Sequence, residues 1–278
     1  MILVVDSGST KADWRLIDEG NLIASFFTAG LNPYFVSTDD VKREVLHAIP
    51  PTFDRNEISK IMFYGAGCAT IERKAIIKQA LTSLFPLSEI EVDTDMIGAS
   101  KALFNKDNGI AVILGTGSNS CLWNGESIES NSPSLGYILG DEGSGAHLGL
   151  TLLKKYLNNQ LPADLKTLLE DRYPISRDSI LENVYRKPNP NRYLAQYTFF
   201  IKETVEHSYI RYLVSECFLE FLDKHVKVFD QYSDRKVRCV GSVAHTFSEI
   251  LQECALAGEI DIDMIIQSPI DRLVQLYL

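Results

Sequence analysis

Short apolar runs that end in polar turns dominate the first thirty residues of the chain. Residues 2–5 are aliphatic and stop at Asp6, and residues 7–10, Ser-Gly-Ser-Thr, have the composition of a turn. Alternating apolar positions over residues 12–17 predict a second strand, and residues 22–27 predict a third. The pattern therefore predicts an N-terminal antiparallel meander.

Segments with helical periodicity then alternate with short strand-like runs as far as residue 104. Apolar residues three and four positions apart indicate helices, whereas short β-rich runs closed by glycine or acidic residues indicate strands. The predicted helices span residues 41–49, 72–84 and 96–104, and the predicted strands span residues 58–64 and 90–92.

The order of strand, polar turn and strand occurs a second time from Ile110. Residues 110–114 are apolar, residues 115–118 form a turn of glycine and hydroxyl residues, and a strand resumes at residues 121–123. This shared order indicates a second unit that is similar to the first. The rest of the chain is mostly helical from Asp141 to about residue 230, followed by predicted strands at residues 237–241 and 260–266 and predicted helices at 245–255 and 270–277.

The predicted architecture is α/β, with two lobes and a cleft between them. The boundary lies in the turn-rich segment of residues 105–109, Asn-Lys-Asp-Asn-Gly. We expect an N-terminal lobe over residues 1–109 and a C-terminal lobe with a helical insertion over residues 110–278. The last helix is able to return to the N-terminal lobe.

Composition and charge exclude several classes of function. The 278 residues carry a net charge of −10, which disfavours binding to nucleic acid and to anionic membranes. No apolar stretch approaches the roughly 20 residues that span a bilayer, and the N-terminus lacks a basic segment typical of a signal peptide. The five cysteines are scattered without a CxxC pair, as is typical of a reducing compartment. The sequence therefore predicts a cytoplasmic protein.

Two turns rich in glycine and hydroxyl residues are the first candidates for chemistry. The backbone N–H groups of such a turn converge into a nest that binds anions, and both the segment DSGSTK (residues 6–11) and the segment GTGSNS (residues 115–120) have this composition. Asp6 also suits a hydrated Mg²⁺, which needs few carboxylates. Each turn alone also fits an ordinary hairpin, but two equivalent turns are suited to holding a triphosphate.

Three further motifs carry carboxylates or glycine at predicted strand ends. Asp95 follows a strand and could orient a hydroxyl and accept its proton during phosphoryl transfer, although residues 93–95 also fit a helix cap. Asp141, in the segment GDEGSG, could accept hydrogen bonds from sugar hydroxyls, or could equally belong to a helix N-terminus. Gly241 would allow close approach of a base or ribose, although an ordinary turn explains it better. The five histidines show no metal-binding spacing and are expected to be structural or exposed.

The segments DSGSTK, GTGSNS, GDEGSG and VGS, in this order, resemble the actin-like ATPase and sugar-kinase superfamily. Within it, the sequence is most similar to the N-acetylglucosamine kinase branch, which is grouped with the activator ATPases of benzoyl-CoA reductase and 2-hydroxyacyl-CoA dehydratase. The resemblance implies two actin-like (ribonuclease H-like) lobes, ATP and Mg²⁺ as cofactors, and a homodimer. It further implies the phosphorylation of an amino sugar, with N-acetylglucosamine at its 6-hydroxyl as the first expectation.

The resemblance also assigns a role to each matching position. Asp95 matches the catalytic aspartate, and Asp6 matches the metal-binding residue of the first phosphate loop. The expected contacts to ATP and its phosphates are Asp6, Gly8, Ser9, Thr10, Lys11, Gly115, Thr116, Gly117, Gly241 and Ser242. The expected contacts to the sugar are Asn32, Ser118, Asn119, Gly136 and Asp141.

Two alternative functions stay open at the level of sequence. An activator ATPase would share the phosphate loops, but such proteins hold an iron–sulfur cluster with paired cysteines at a subunit interface, and the cysteines here lie in unrelated contexts. A sensor would bind nucleotide or sugar without turnover, which the presence of Asp6 and Asp95 disfavours. The glycine patch that relatives often carry near the C-terminus is replaced here by residues 269–272, Pro-Ile-Asp-Arg, so the adenine pocket is not predicted.

Overall fold

The computed structural model describes residues 1–51 and 53–278. Over these residues the chain divides into two compact units. The first unit comprises residues 1–107, 124–128 and 268–278, and the second comprises residues 108–123 and 129–267. The C-terminal helix, Ile270–Gln275, is therefore part of the first unit.

The first unit is built on a five-stranded mixed sheet. Its strands are β1 (Ile2–Ser7), β2 (Lys11–Asp18), β3 (Asn21–Ala29), β4 (Lys60–Gly65) and β5 (Glu89–Thr94), and its helices are α1 (Thr38–Ala48), α2 (Ile71–Leu84) and α3 (Asp95–Phe104). The strand order is β3-β2-β1-β4-β5. β1, β2 and β3 form the predicted antiparallel meander, whereas β4 pairs parallel to both β1 and β5.

The central strand β1 is buried on both faces of the sheet, because its aliphatic run supplies apolar side chains to each face. Leu3 and Val5 belong to one core, in which the ring of Trp14 stacks on Phe26 with centroids 5.3 Å apart. Val4 belongs to a second core that includes Leu273 of the C-terminal helix. The C-terminal helix thus covers apolar surface that the meander alone would leave exposed.

The second unit repeats the same sheet and adds a helical insertion. Its strands are β6 (Gly109–Leu114), β7 (Ser118–Trp123), β8 (Ile128–Asn131), β9 (Lys236–Val240) and β10 (Asp261–Ile266). Its helices are α4 (Gly136–Leu139), α5 (Gly145–Leu157), α6 (Ala163–Arg172), α7 (Arg177–Tyr185), α8 (Pro190–Ala195), α9 (Thr198–Glu203), α10 (Ser208–Phe221), α11 (Ser242–Thr246) and α12 (Ser248–Ala257). A π-helical turn, Leu222–Val226, directly follows α10.

The two sheets have equivalent topologies. The order β8-β7-β6-β9-β10 matches β3-β2-β1-β4-β5 strand for strand. In each sheet the first two strands are antiparallel, and the first strand also pairs parallel with the fourth. The predicted α/β fold with two similar units is confirmed.

Three local predictions differ from the structure. The single helix predicted over residues 245–255 is wrong, because Phe247 leaves the helical region (φ −111°, ψ 30°) and separates α11 from α12. β8 and α4 were not predicted. β8 is four residues long with mostly exposed side chains, so it lacks the apolar alternation on which strand prediction depends.

In the part of the chain that the structure describes, no helix is long and apolar enough to cross a membrane.

Candidate functional site

Asp6 and Asp95 lie at the same edge of the first sheet. β1, β4 and β5 run parallel, and their register aligns Ser7 with Gly65 and Gly65 with Thr94. The carboxyl ends of these strands therefore meet, and Asp95 begins α3 directly after β5. The topology brings together two acids that are 89 positions apart in the sequence.

Both carboxyl groups have raised pKa values. Burial, together with the negative charge of Asp95, raises the pKa of Asp6 to about 7. Burial also raises the pKa of Asp95 to about 6, although hydrogen bonds from the backbone N–H groups of Met96 and of Asp95 itself oppose the shift. Paired acids with raised pKa values are typical of functional sites. A divalent cation would relieve the repulsion, so the donor set fits the Mg²⁺ that the sequence predicts.

The segment of residues 93–95 does cap a helix, and the residue that caps it is a neighbour of Asp95. Thr94 is the N-cap of α3, and its Oγ1 accepts a hydrogen bond of 3.2 Å from the N–H of Ile97. Asp93 Oδ1 accepts a hydrogen bond of 2.6 Å from Lys74 Nζ. Thr94 and not Asp95 is therefore the N-cap of α3, whereas Asp95 Oδ1 accepts a hydrogen bond of 2.9 Å from the N–H of Met96 in the first turn.

The first predicted phosphate turn packs against the segment that follows β3. Ser7 Oγ accepts a hydrogen bond of 3.0 Å from the N–H of Leu31, and Asn32 Nδ2 donates to Ser9 Oγ over 3.0 Å. The N–H of Gly8 closes the turn onto the carbonyl oxygen of Lys11 at 3.0 Å. The predicted phosphate and sugar contacts Ser9 and Asn32 are therefore neighbours.

Asn32 is held in place by more than Ser9. Its Oδ1 accepts a hydrogen bond of 3.0 Å from the N–H of Tyr34, and its side chain lies against Gly67. A Cβ on Gly67 would come within 2.2 Å of that Oδ1, and the φ of Gly67 is +80°. Sequence analysis missed Gly67, whose signal was the segment Gly-Ala-Gly at the end of the fourth predicted strand.

The side chain of Lys11 lies on β3. Its Nζ is 3.5 Å from the centroid of the Phe27 ring, an arrangement typical of a cation–π contact. Thr10, the residue before it, is exposed.

The second predicted phosphate turn joins β6 to β7 and is attached to the start of α5. The N–H of Gly115 donates to the carbonyl oxygen of Gly117 over 3.0 Å. The N–H groups of Gly145 and Ala146 donate to the carbonyl oxygens of Gly115 and Thr116 over 2.8 and 3.0 Å. These bonds fix the backbone of the turn through its carbonyl groups.

Asp141 lies directly against this turn. Its Oδ1 accepts a hydrogen bond of 3.3 Å from the N–H of Ser118, and a Cβ on Gly117 would lie 3.1 Å from its Oδ2. Burial raises the pKa of Asp141, and the Ser118 N–H opposes that shift. The alternative role of Asp141 as a helix cap is wrong, because Ser144 caps α5. The Ser118 hydroxyl is buried and has no hydrogen-bond partner among the residues that the structure describes.

The remaining predicted positions lie around the second sheet. Gly241 follows β9 with φ +133°, and a Cβ there would lie 2.1 Å from the carbonyl oxygen of Leu114. Ser242 begins α11. Asn119 Oδ1 accepts a hydrogen bond of 2.9 Å from the N–H of Ser120. Gly136 begins α4 with φ +74° and open space beside its Cα.

Sequence analysis also missed the buried pair of Glu142 and His225. Glu142 Oε2 and His225 Nε2 are 2.9 Å apart, although the residues are 83 positions apart in the chain. The only sequence signal was the position of Glu142 next to Asp141 in GDEGSG. The prediction of structural or exposed roles for all histidines did not single out this one.

Two glycine-to-alanine substitutions distinguish a glycine that the fold requires from a glycine that ligand binding requires. A Cβ on Gly30 would lie 2.4 Å from the Gly8 carbonyl oxygen, so Gly30→Ala is expected to cost about 1–3 kcal/mol of unfolding free energy. A Cβ on Gly115 meets nothing within 4 Å, so Gly115→Ala should keep the wild-type Tm. Because the sequence predicts that this turn binds the phosphates of ATP, the same substitution should raise the KM for ATP. Thermal unfolding and ATP titration of the two variants check this. A lowered Tm in Gly115→Ala would contradict the prediction, as would an unchanged KM for ATP.

Known proteins were compared with the whole chain. No protein-family model matches the sequence. A crystal structure described as a candidate N-acetylglucosamine kinase from Porphyromonas gingivalis is 39% identical, with a TM-score of 0.94, and the match covers 100% of this chain and 98% of that chain. An N-acetylmuramic acid/N-acetylglucosamine kinase from Clostridium acetobutylicum is 27% identical over 221 residues, which are 76% of this chain and 71% of that protein.

A more distant structure shows the fold alone. A ROK-family glucokinase from Streptomyces griseus, crystallised with glucose and AMPPNP, is 14% identical with a TM-score of 0.55, and the match covers 98% of this chain and 97% of that chain. The duplicated sheet topology and these similarities define a sugar kinase of the actin-like ATPase fold. The chain belongs to the N-acetylglucosamine kinase-like family of these ATP-dependent phosphotransferases.

Proposed function

We propose that this protein transfers the γ-phosphoryl group of ATP to the 6-hydroxyl of N-acetylglucosamine. The observation that carries the proposal is the pair of Asp6 and Asp95 at the carboxyl ends of parallel strands, with pKa values raised to about 7 and about 6. A carboxylate with a pKa just below neutrality is ionised at neutral pH and is still able to accept a proton. The names of the relatives from P. gingivalis and C. acetobutylicum support the choice of sugar.

In this proposal Asp95 acts on the acceptor hydroxyl. Its carboxylate accepts the hydroxyl proton while the sugar oxygen bonds to the γ-phosphorus and the bond to the bridging β,γ-oxygen breaks, which releases ADP. Mg²⁺ held at Asp6 would neutralise charge on the phosphate oxygens. Positioning and charge neutralisation, rather than covalent catalysis, supply most of the rate enhancement.

The two turns supply donors for the phosphate chain. Gly8, Ser9, Thr10 and Gly115, Thr116, Gly117 are assigned to the phosphate chain. The N–H groups of Gly8 and Gly115 bond within their own turns, so these two glycines shape the backbone. The hydroxyls and N–H groups of Ser9, Thr10 and Thr116 and the N–H of Gly117 are suited to phosphate oxygens, with Lys11 adding positive charge if it leaves the Phe27 ring. Gly241 and Ser242 are assigned to the adenosine side.

The sugar is recognised by polar groups whose positions are fixed by hydrogen bonds within the protein. Asn32 is fixed by Ser9 and the N–H of Tyr34. Asp141 is fixed by the N–H of Ser118, whose own hydroxyl lacks a partner within the described structure. Asn119 and Gly136 complete the assigned sugar contacts. The cytoplasmic location and the homodimer remain predictions, and size-exclusion chromatography with light scattering tests the latter.

An ADP-release assay across amino sugars tests the function. N-acetylglucosamine, N-acetylmuramic acid, glucosamine and glucose are supplied separately with ATP and Mg²⁺, and N-acetylglucosamine is expected to give the highest kcat/KM. A higher value for N-acetylmuramic acid or glucose would move the assignment to that sugar. ADP release that no sugar accelerates, together with iron in anaerobically purified protein, would replace the proposal with the activator ATPase.

A further inference from the structure

A buried polar network in the second unit is centred on Glu142, the residue next to Asp141 in the chain. Glu142 Oε2 is 2.9 Å from His225 Nε2, and Glu142 Oε1 accepts a hydrogen bond of 2.8 Å from Lys224 Nζ. On its other side, His225 Nδ1 is 2.8 Å from Ser132 Oγ. The side chains of Glu142 and His225 are only 10% and 4% exposed. Both oxygens of a nearly buried carboxylate are therefore bound by residues of a distant segment.

Glu142 is held in its ionised form. Burial by itself would raise the pKa of Glu142, but hydrogen bonds from Lys224 and His225 outweigh burial and lower it to about 2. A buried carboxylate must be paired to be tolerated, and removing its partners is costly. Glu142, which directly follows Asp141, is therefore fixed in place by Lys224 and His225 and serves as a polar anchor at this point of the chain.

The turn that carries Asp141 has a backbone that needs such an anchor. Asp141 has φ +56° and Gly143 has φ +69°, so the chain passes twice through the left-handed region within three residues. That region is unfavourable for a residue with a Cβ. Two further hydrogen bonds hold the turn, from the Gly143 N–H to His147 Nδ1 over 3.0 Å and from the Ser144 N–H to the Asp141 carbonyl over 3.1 Å.

The anchor comes from an irregular part of the helical insertion. Lys224 and His225 lie in the π-helical turn, and such turns occur frequently at functional sites. The ring of Phe221, just before this turn, stacks on the His225 imidazole with centroids 5.1 Å apart. A Cβ on Gly143 would lie 2.7 Å from Phe221 Cβ, so the π-helical turn and the Asp141 turn are packed tightly together.

We propose that Glu142, anchored by His225 and Lys224, is a positioning residue that sets the affinity of this kinase for its sugar. It holds Asp141 where its carboxylate receives the Ser118 N–H and faces the sugar hydroxyls. The inference rests on the proposed function, because it assigns Asp141 to the sugar. It predicts a larger effect on the sugar than on ATP, because Asp141 is assigned to the sugar, whereas the phosphate turn is held separately by the N–H groups of Gly145 and Ala146.

A matched pair of glutamate variants tests the role of Glu142. Glu220 accepts a hydrogen bond of 2.7 Å from the same Lys224 Nζ, but it is 43% exposed and is not adjacent to Asp141 in the sequence. Glu142→Gln is expected to raise the KM for N-acetylglucosamine at least tenfold while the KM for ATP rises by a clearly smaller factor. Glu220→Gln should leave both within twofold of wild type. Equal effects of the two substitutions on the sugar KM would overturn the proposal.

Two histidine variants provide a rescue test that also covers poor folding of Glu142→Gln. A glutamine amide nitrogen can replace Nε2 of histidine, whereas an asparagine amide nitrogen can replace only Nδ1. His225→Gln therefore keeps the donor to Glu142 and should retain a sugar KM close to wild type. His225→Asn keeps the contact to Ser132 alone and should raise the sugar KM at least fivefold. Similar sugar KM values for these two variants would contradict the proposal.

Hydrogen exchange at the Ser118 amide gives a readout that does not need activity. This N–H donates to Asp141, so a displaced Asp141 should let it exchange at least tenfold faster in Glu142→Gln than in Glu220→Gln. A wild-type protein that phosphorylates none of the sugars would defeat the proposed function but leave this comparison intact. Unchanged exchange in Glu142→Gln would defeat the positioning role, whether or not the wild type is active.

Discussion

Replacing Asp95 with asparagine is expected to lower kcat at least about a hundredfold while the sugar still binds. The substitution keeps the shape of the side chain but removes the carboxylate that we propose accepts the hydroxyl proton. Thr94, the N-cap of α3, is retained, and an asparagine side-chain oxygen can still accept the hydrogen bond that the Met96 N–H donates to Asp95 Oδ1. Initial rates by ADP release give kcat, and equilibrium titration of the sugar gives its Kd.

Asp93→Asn is the matched control for this variant. Asp93 lies two positions away and is held by Lys74 at 2.6 Å, so its loss should change kcat by less than about threefold. A hundredfold loss in Asp93→Asn would show that the charge of the whole segment matters and not the carboxylate of Asp95. Near-normal kcat in Asp95→Asn would rule out its role as the base.

Replacing Asp6 with asparagine is expected to change activity and stability in opposite directions. The loss of the carboxylate that we propose holds Mg²⁺ should lower kcat/KM at least about a hundredfold, because a bound cation contributes several kcal/mol to charge stabilisation. The folded protein, however, penalises the ionised form of Asp6, since burial and the charge of Asp95 raise its pKa to about 7. The neutral asparagine should therefore raise the Tm of the ligand-free protein at pH 8, by at least about 2 °C.

The stability difference between Asp6→Asn and the wild type should depend on pH, and its direction follows from the pKa of Asp6. The pKa of Asp6 is higher in the folded protein than the value of 3.8 expected when unfolded. The destabilisation is thus absent below pH 4, grows between pH 4 and pH 7, and is complete above that range. Differential scanning calorimetry of both proteins from pH 4 to pH 8 should show the Tm difference growing with pH. A lower Tm for Asp6→Asn at pH 8 would contradict the assignment of an uncompensated buried charge.

Asp263→Asn provides a contrast of opposite sign. Hydrogen bonds from Arg238, chiefly, lower the pKa of Asp263. Its carboxylate stabilises the fold, and its removal should lower the Tm at pH 8. Opposite shifts in Asp6→Asn and Asp263→Asn would separate a carboxylate suited to function from one that serves the fold.

The sequence was sufficient for those parts of the fold that depend on local patterns. The aliphatic runs of β1 and β6, each followed by a glycine-bearing turn, predicted two similar units, and the equivalent sheet orders confirm them. The break at Phe247 could not be predicted, because apolar periodicity continues across it and only the backbone angles of one residue interrupt the helix. β8 was missed because an exposed edge strand needs no apolar alternation.

The candidate site likewise combines motifs that the sequence predicts with contacts that it does not predict. The turns at residues 6–11 and 115–120 were visible as short motifs. The meeting of Asp6 with Asp95 depends on the parallel register of three strands, and that of Glu142 with His225 depends on the packing of the π-helical turn against residues 141–144. Such contacts join residues more than eighty positions apart, so a single sequence carries no local signal for them.

The most direct test of the central claim is the identity of the product made from N-acetylglucosamine and ATP. Two-dimensional ³¹P–¹H NMR of the reaction mixture identifies the carbon that carries the new phosphate ester. We predict a correlation from phosphorus to the two protons on C6, with one ADP formed for each ester. A phosphate at another hydroxyl, or ADP accompanied only by inorganic phosphate, would contradict the account.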